Sequence, residues 1–151
     1  MMNLLDFDKG FPLDPPNVIL RWDKPLDEVA RMSGGIWHNG RYVWRDAKYF
    51  DGLGYLLCSE NGVGKQSPFK SIFAYIGLTP EGLWSDQIVL DEYKKVVQHL
   101  SGVLGEPNER KANPDEVPDT ETLTWIFQKV KVDLDVIEQH SYICFITIRL
   151  K

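Results

Sequence analysis

Two stretches near the end of the chain constrain the fold more than anything else in it. Val130, Val132, Leu134 and Val136 fall on one face of an extended strand, with Lys129, Lys131, Asp133 and Asp135 on the other. After a polar break, residues 142–150 form a second run that is apolar on both faces over much of its length. Strict alternation demands a sheet with one dry and one wet face, and a run apolar on both faces belongs in its middle. The first strand of this hairpin is expected to start with "TWIFQKVKVDLDV", residues 124–136.

A second hairpin is written into "GGIWHNGRYVW", residues 34–44. Asn-Gly is the preferred pair for a type I′ turn, whose two central residues both need positive φ. With Asn39 and Gly40 in the turn, His38 faces Arg41, Trp37 faces Tyr42 and Ile36 faces Val43. Trp37, Tyr42 and Trp44 then share one face of the ribbon, while Ile36 and Val43 share the other with His38, Arg41 and Arg45. Two further turn pairs, Asp51-Gly52 and Asn61-Gly62, frame "LGYLLCSE" and "SPFKSIFAYIGL". The whole region reads as an antiparallel meander of about four strands.

Helical spacing occurs twice. In "DKPLDEVARMSGG", Asp23 can cap, Pro25 suits a first turn, Leu26, Val29 and Ala30 share a face, and Gly34 and Gly35 stop the helix. Val89, Tyr93, Val96, Val97, Leu100, Val103 and Leu104 form a longer 3.6-residue stripe, capped by Ser85, Asp86 or Asp91 and ended by Gly105 and Pro107. Before residue 25 the prolines at 12, 15 and 16 predict an irregular lead-in with one short strand over residues 18–22. The expected architecture is α+β, a single domain over residues 1–151. One antiparallel sheet of about six strands packs on one long helix, with a short N-terminal helix beside it. Between helix and last hairpin, "EPNERKANPDEVPDTE" (residues 106–121) holds three prolines, six acids and two bases. It reads as a long acidic, Pro-rich loop.

Catalytic and metal signatures fail position by position. "SENGVGKQS" looks like a phosphate loop, yet Ser59 stands where its first Gly should be and Gln66 where the hydroxyl should follow Lys65. "DFDKGF" misses the calcium-loop pattern at Gly10, Phe11 and Asn17. His38, His99 and His140 share no metal-ligand spacing, and Cys58 and Cys144 sit in apolar runs as buried thiols. A site assembled from distant residues would pair His38 with Asp133 or Asp135. No catalytic residue, metal or cofactor is expected.

The net charge of −5 argues against nucleic acid and anionic membrane as partners and favours a basic protein. No apolar run reaches the roughly 20 residues of a bilayer span. "MMNLLDFDKGF" has neither a basic nor an apolar leader segment, so a cytoplasmic location is expected. Glu106, Glu109, Asp115, Glu116, Asp119 and Glu121 would form an acidic lobe beside Asp133 and Asp135. Trp37, Tyr42 and Trp84 would serve as aromatic anchors. Free sheet edges leave room for a homodimer.

In build, this chain resembles the small acidic bacterial immunity proteins of toxin systems. The likeness lies in the helix that ends "VLGEP", the acidic segment after it and the terminal hairpin. No functional residue comes with it. It implies an inhibitor that neutralises a basic toxin through an acidic surface. The competing expectation is a small-molecule or lipid carrier, with Trp44, Phe73 and Tyr75 lining an apolar pocket between sheet and helix.

Overall fold

The computed structural model describes residues 7–62, 64–76 and 85–151. Ten strands and two helices follow in chain order. They are β1 (Gly10–Leu13), β2 (Val18–Arg21), α1 (Leu26–Ser33), β3 (Ile36–His38), β4 (Arg41–Trp44), β5 (Leu56–Ser59), β6 (Ser71–Ile76), α2 (Asp86–Leu104), β7 (Glu109–Ala112), β8 (Glu121–Ile126), β9 (Val130–Gln139) and β10 (Ser141–Leu150). The class is α+β. The main sheet has eight strands rather than about six, in the order β3-β4-β5-β6-β10-β9-β8-β7, and β1 and β2 form a separate ribbon.

The order of elements contains a repeat that the residues do not advertise. α1 leads into the meander β3 to β6, and α2 leads into the meander β7 to β10. The two meanders meet at the antiparallel pair β6 and β10. Read outward from that pair, the two halves have the same strand order, with β3 and β7 as the outer edges. Each helix ends on a glycine with positive φ, Gly34 at 84° and Gly105 at 88°. That conformation is open to glycine at little cost and turns the chain sharply into the first strand of each half.

Burial follows the two-residue period. Ile72, Ala74 and Ile76 of β6, Val132, Leu134 and Val136 of β9, and Cys144, Ile146 and Ile148 of β10 face the helices and join one core. α2 covers that central region with the buried Val89, Tyr93, Val96 and Leu100, and the half-buried Leu90, Val97 and Leu104 pack against the same core. Of the expected stripe, Val103 alone stands outside that core, and the helix meets β10 and β6 most closely. One long helix therefore does not cover the sheet. α1, the β1–β2 ribbon and the turn around Tyr49 and Phe50 complete the layer. Phe11 lies 5.3 Å from Phe50 and Phe7 lies 5.1 Å from Phe127, centroid to centroid. His99 of α2 ties the layer together through the Phe50 carbonyl, 2.5 Å away.

Three local expectations change. Asp23 does not cap α1: its carboxylate is held by Arg21 at 2.9 Å, and Pro25 occupies the cap position. The strand expected from residue 124 is two strands, because the chain turns at residues 127–129 with Phe127 N–H bonded to the Val130 carbonyl. Residues 106–121 are not a long loop. Glu109–Ala112 pair with β8 as an edge strand, Glu109 opposite Thr124 and Ala112 opposite Glu121. The rest is a pinned turn. Asn113 Nδ2 donates to Thr120 Oγ1 and to the Val136 carbonyl, and its Oδ1 accepts from Asp115 N–H.

The Asn39-Gly40 hairpin forms in the expected register, with φ of 50° and 85° at the two turn residues. Both cysteines are buried thiols.

Candidate functional site

The alternation that buries one face of the sheet exposes the other. Crossing from β3 to β7, one row reads Ile36, Val43, Cys58, Phe73, Thr147, Asp133, Thr124 and Glu109. A neighbouring row reads Leu56, Tyr75, Phe145 and Asp135. The first meander thus presents apolar and aromatic groups, and the second presents threonines and charges. On the apolar half, Arg41 donates to the Tyr75 hydroxyl at 3.2 Å and lies 5.4 Å from its ring centroid. Cys58 is sealed beneath, and burial pushes its thiol pKa up, opposed by Arg41 and Arg45. It is a packing residue rather than a nucleophile.

On the polar half a depression of about 310 Å³ is lined by Glu109, Lys111, Thr122, Thr124, Lys131, Asp133, Asp135, Thr147 and Arg149. Asp133 is almost fully buried there. It accepts from Thr124 Oγ1 at 2.6 Å and pairs with Arg149 at 3.2 Å. Asp135 has its pKa raised, first by burial and further by the neighbouring Asp133 charge, against a hydrogen bond from Thr122 and the field of Arg149. The three acids of this depression face Lys111, Lys131 and Arg149, so its formal charge is balanced.

The other acids expected in one lobe stand elsewhere. Glu121 and Asp119 line a separate groove of about 340 Å³ against α2, with Arg110 and Lys94. Arg110 bonds both Glu121 and Glu106. Asp115 and Glu116 sit in the pinned turn, where the Asp115 carboxylate accepts from Glu138 N–H. Alternation is the reason: residues one apart on a strand point to opposite faces. Trp37 and Tyr42 lie near the far edge. With neighbouring strands roughly 4.8 Å apart, β3 is about 33 Å from β7 along the sheet. By the same spacing His38 is about 24 Å from Asp133 and Asp135, too far for a proton to pass between them. Trp84 lies outside the described residues.

The expected carrier pocket is divided too. Trp44 pairs with Leu57 on the helix side, whereas Phe73 and Tyr75 belong to the opposite face. They cannot line one cavity. Among the described residues no group of His, Cys, Asp and Glu is arranged to hold a metal ion, and no helix is long and apolar enough to cross a membrane.

A different locus stands out at the β3 edge. The exposed large hydrophobics among the described residues are Met32, Ile36 and Trp37, at 70%, 66% and 37%. All three sit where α1 turns into β3. The position of the turn comes from Gly34 and Gly35. A Cβ on Gly35 would lie 2.8 Å from the Trp44 ring, which itself donates to Ser33 Oγ at 2.8 Å. Trp37 packs edge-on against Tyr42, centroids 5.0 Å apart, and Lys65 Nζ sits 4.5 Å from its ring centroid. Beside it, Val18, Ile19, Val29 and Met32 line a small apolar hollow of about 130 Å³.

The backbone of this edge is also open. In a two-residue hairpin the pair flanking the turn, His38 and Arg41, exchanges hydrogen bonds, so Trp37 and Tyr42 form a non-hydrogen-bonded pair. Tyr42 N–H accordingly points away from β3 and reaches Ser59 Oγ at 2.9 Å. Trp37 N–H and C=O then point out past the sheet edge. Sequence reasoning singled out Trp37 and missed Met32 and Ile36. The available signal was the segment from Arg31 to Arg45, which carries three arginines and no acid in a chain of net charge −5.

Comparison with protein-family models, curated proteins and solved structures finds no match for this chain.

Proposed function

We propose that this protein works by binding another protein, as an inhibitor of the immunity type, and that the β3 corner is its docking surface. One observation carries the reading: Met32, Ile36 and Trp37, the exposed large hydrophobics among the described residues, lie together at an open sheet edge. Singly scattered apolar residues need no explanation, but a cluster with an aromatic at its centre is the usual anchor of a protein interface. The acidic surface first expected to meet a basic toxin is broken into three groups, one of them charge-balanced, so the docking surface moves to this corner.

The test is co-expression with the product of the adjacent upstream reading frame, read by growth and by native mass spectrometry. Protection from that product and a one-to-one complex are expected, with the complex lost on Met32→Glu. An unchanged complex in that variant refutes the placement. A mass increment from a co-purified small molecule, with no protein complex, refutes the function and favours the carrier.

A further inference from the structure

Building on the docking role of the β3 corner, we infer that its occupant is an acidic, extended protein segment that adds to the sheet as a strand beside β3. Three observations select it. Trp37 turns its N–H and C=O outward, the groups an added strand pairs with. Apolar side chains flank that backbone on both faces, Ile36 on the open face and Trp37 with Met32 on the helix side. An alternating segment would therefore meet apolar surface with every side chain near the centre.

The third observation is charge. Lys65 lies over the Trp37 ring and Arg31 precedes Met32 near the end of α1, whereas Arg41 turns inward to Tyr75 of β6. Among the described residues neither Arg31 nor Lys65 has an ion-pair partner. Glu28 is the acid that lines the neighbouring hollow, with Lys24. An acidic segment meets this rim favourably. A second copy would bring the same cations against one another, so charge argues against self-pairing. Single-stranded nucleic acid would stack on Trp37 but leave Ile36, Met32 and the outward amide unused.

The other outer edge shows what a protected strand looks like. β7 reads Glu109, Arg110, Lys111 and Ala112, with three charges in four positions, the usual defence against unwanted pairing. β3 reads Ile36, Trp37 and His38 and has no such defence.

The experiment uses two fluorescein-labelled peptides of alternating valine and glutamate, or valine and lysine, titrated with the full chain and read by anisotropy. The acidic peptide should bind at least ~10-fold tighter at about 50 mM salt, with the gap closing near 0.5 M. Trp37→Pro should abolish binding, because proline removes the outward N–H and no β4 bond. Met32→Glu should weaken it at least ~10-fold, on the same electrostatic ground. Circular dichroism checks that both variants fold. Equal affinities, or no binding of the acidic peptide, overturn the inference. So does a dimer in sedimentation that Trp37→Pro dissolves, or tighter binding of oligothymidylate. If the co-expressed complex is lost in Met32→Glu while the two peptides bind alike, the docking site stands and only its acidic-strand occupant fails.

Discussion

Asn113→Ala tests whether residues 113–120 are a built turn or a solvated connection. Asn113 is buried and makes three hydrogen bonds, to Thr120 Oγ1 at 2.9 Å, to the Val136 carbonyl at 2.8 Å and from Asp115 N–H at 2.8 Å. Truncation strands these partners unequally. Asp115 is exposed, so water replaces its partner. Thr120 keeps its own bond to the Val117 carbonyl at 2.9 Å. The Val136 carbonyl, inside the sheet, loses a donor that water does not readily replace. One buried unsatisfied acceptor costs about 1–3 kcal/mol and each lost net bond about 1, so a loss of about 2–4 kcal/mol is expected.

Urea unfolding should report that loss as a lower midpoint with unchanged slope. Heating should lower Tm by roughly 2–4 °C per kcal/mol for a chain of this size. Asn113→Asp should be worse than alanine at neutral pH, because an ionised carboxylate would face the Val136 carbonyl. A buried acid has a raised folded-state pKa, so this penalty should shrink as pH falls and the protonated form donates instead. A loss under ~0.5 kcal/mol refutes the pinned turn. Amides of residues 113–120 exchanging as freely as an unfolded chain would refute it as well.

Gly35→Ala should destabilise by about 1–3 kcal/mol, because the new methyl meets the Trp44 ring and Ala30 Cβ, both under 3 Å away, in a packed site; thermal melting reads it. Asp135→Asn should raise Tm at pH 7. Its carboxyl pKa is raised by burial and by Asp133. The ionised form therefore lowers stability above the folded-state pKa, and the gap to the asparagine variant should close as pH falls below the unfolded value. A gap that is constant or widens toward acid overturns that sign. Tyr55→Phe should do the reverse at Glu92, whose pKa is lowered chiefly by the 2.5 Å bond from the Tyr55 hydroxyl, against burial and with help from Lys95. That bond stabilises above the unfolded pKa near ~4.3 and fades as pH drops through the folded one, so wild type and variant should converge in acid unfolding curves.

Legibility tracked how local each determinant was. The register of β3 and β4 could be read because Asn39-Gly40 admits one turn type, and the faces of β9 and β10 because their alternation is long. β7 was hidden for a physical reason. An edge strand whose side chains are all exposed has no apolar signature, so Glu109–Ala112 looked like loop. β1 was hidden by Pro12 and the prolines after it. The pairing of β6 with β10 joins residues about 70 apart, and nothing local encodes it. The acidic lobe failed because sequence proximity was taken for spatial proximity, whereas Glu109 and Arg110, adjacent in the chain, look out of opposite faces of the sheet. Trp37 was visible as an aromatic. Its exposure depended on which edge of the sheet β3 would occupy.

The shared element order of the two halves makes the two edges comparable. β3 and β7 are the two outer strands of the sheet, each following a helix and a positive-φ glycine. Whatever folding asks of one outer strand it asks of the other. β7 answers with charge at three of four positions and with salt bridges from Arg110 and Lys111. β3 instead leaves Ile36 and Trp37 uncovered, next to Met32 at the end of its helix. Exposed apolar groups on a free edge invite aggregation and do nothing for the core beneath. Ile36→Ser should therefore leave the unfolding midpoint within ~0.5 kcal/mol of wild type, while reducing binding of the acidic peptide by removing the apolar contact without changing the charge of the corner. A large stability loss in that variant would mean that Ile36 serves the fold, and the asymmetry of the two edges would then need a structural cause.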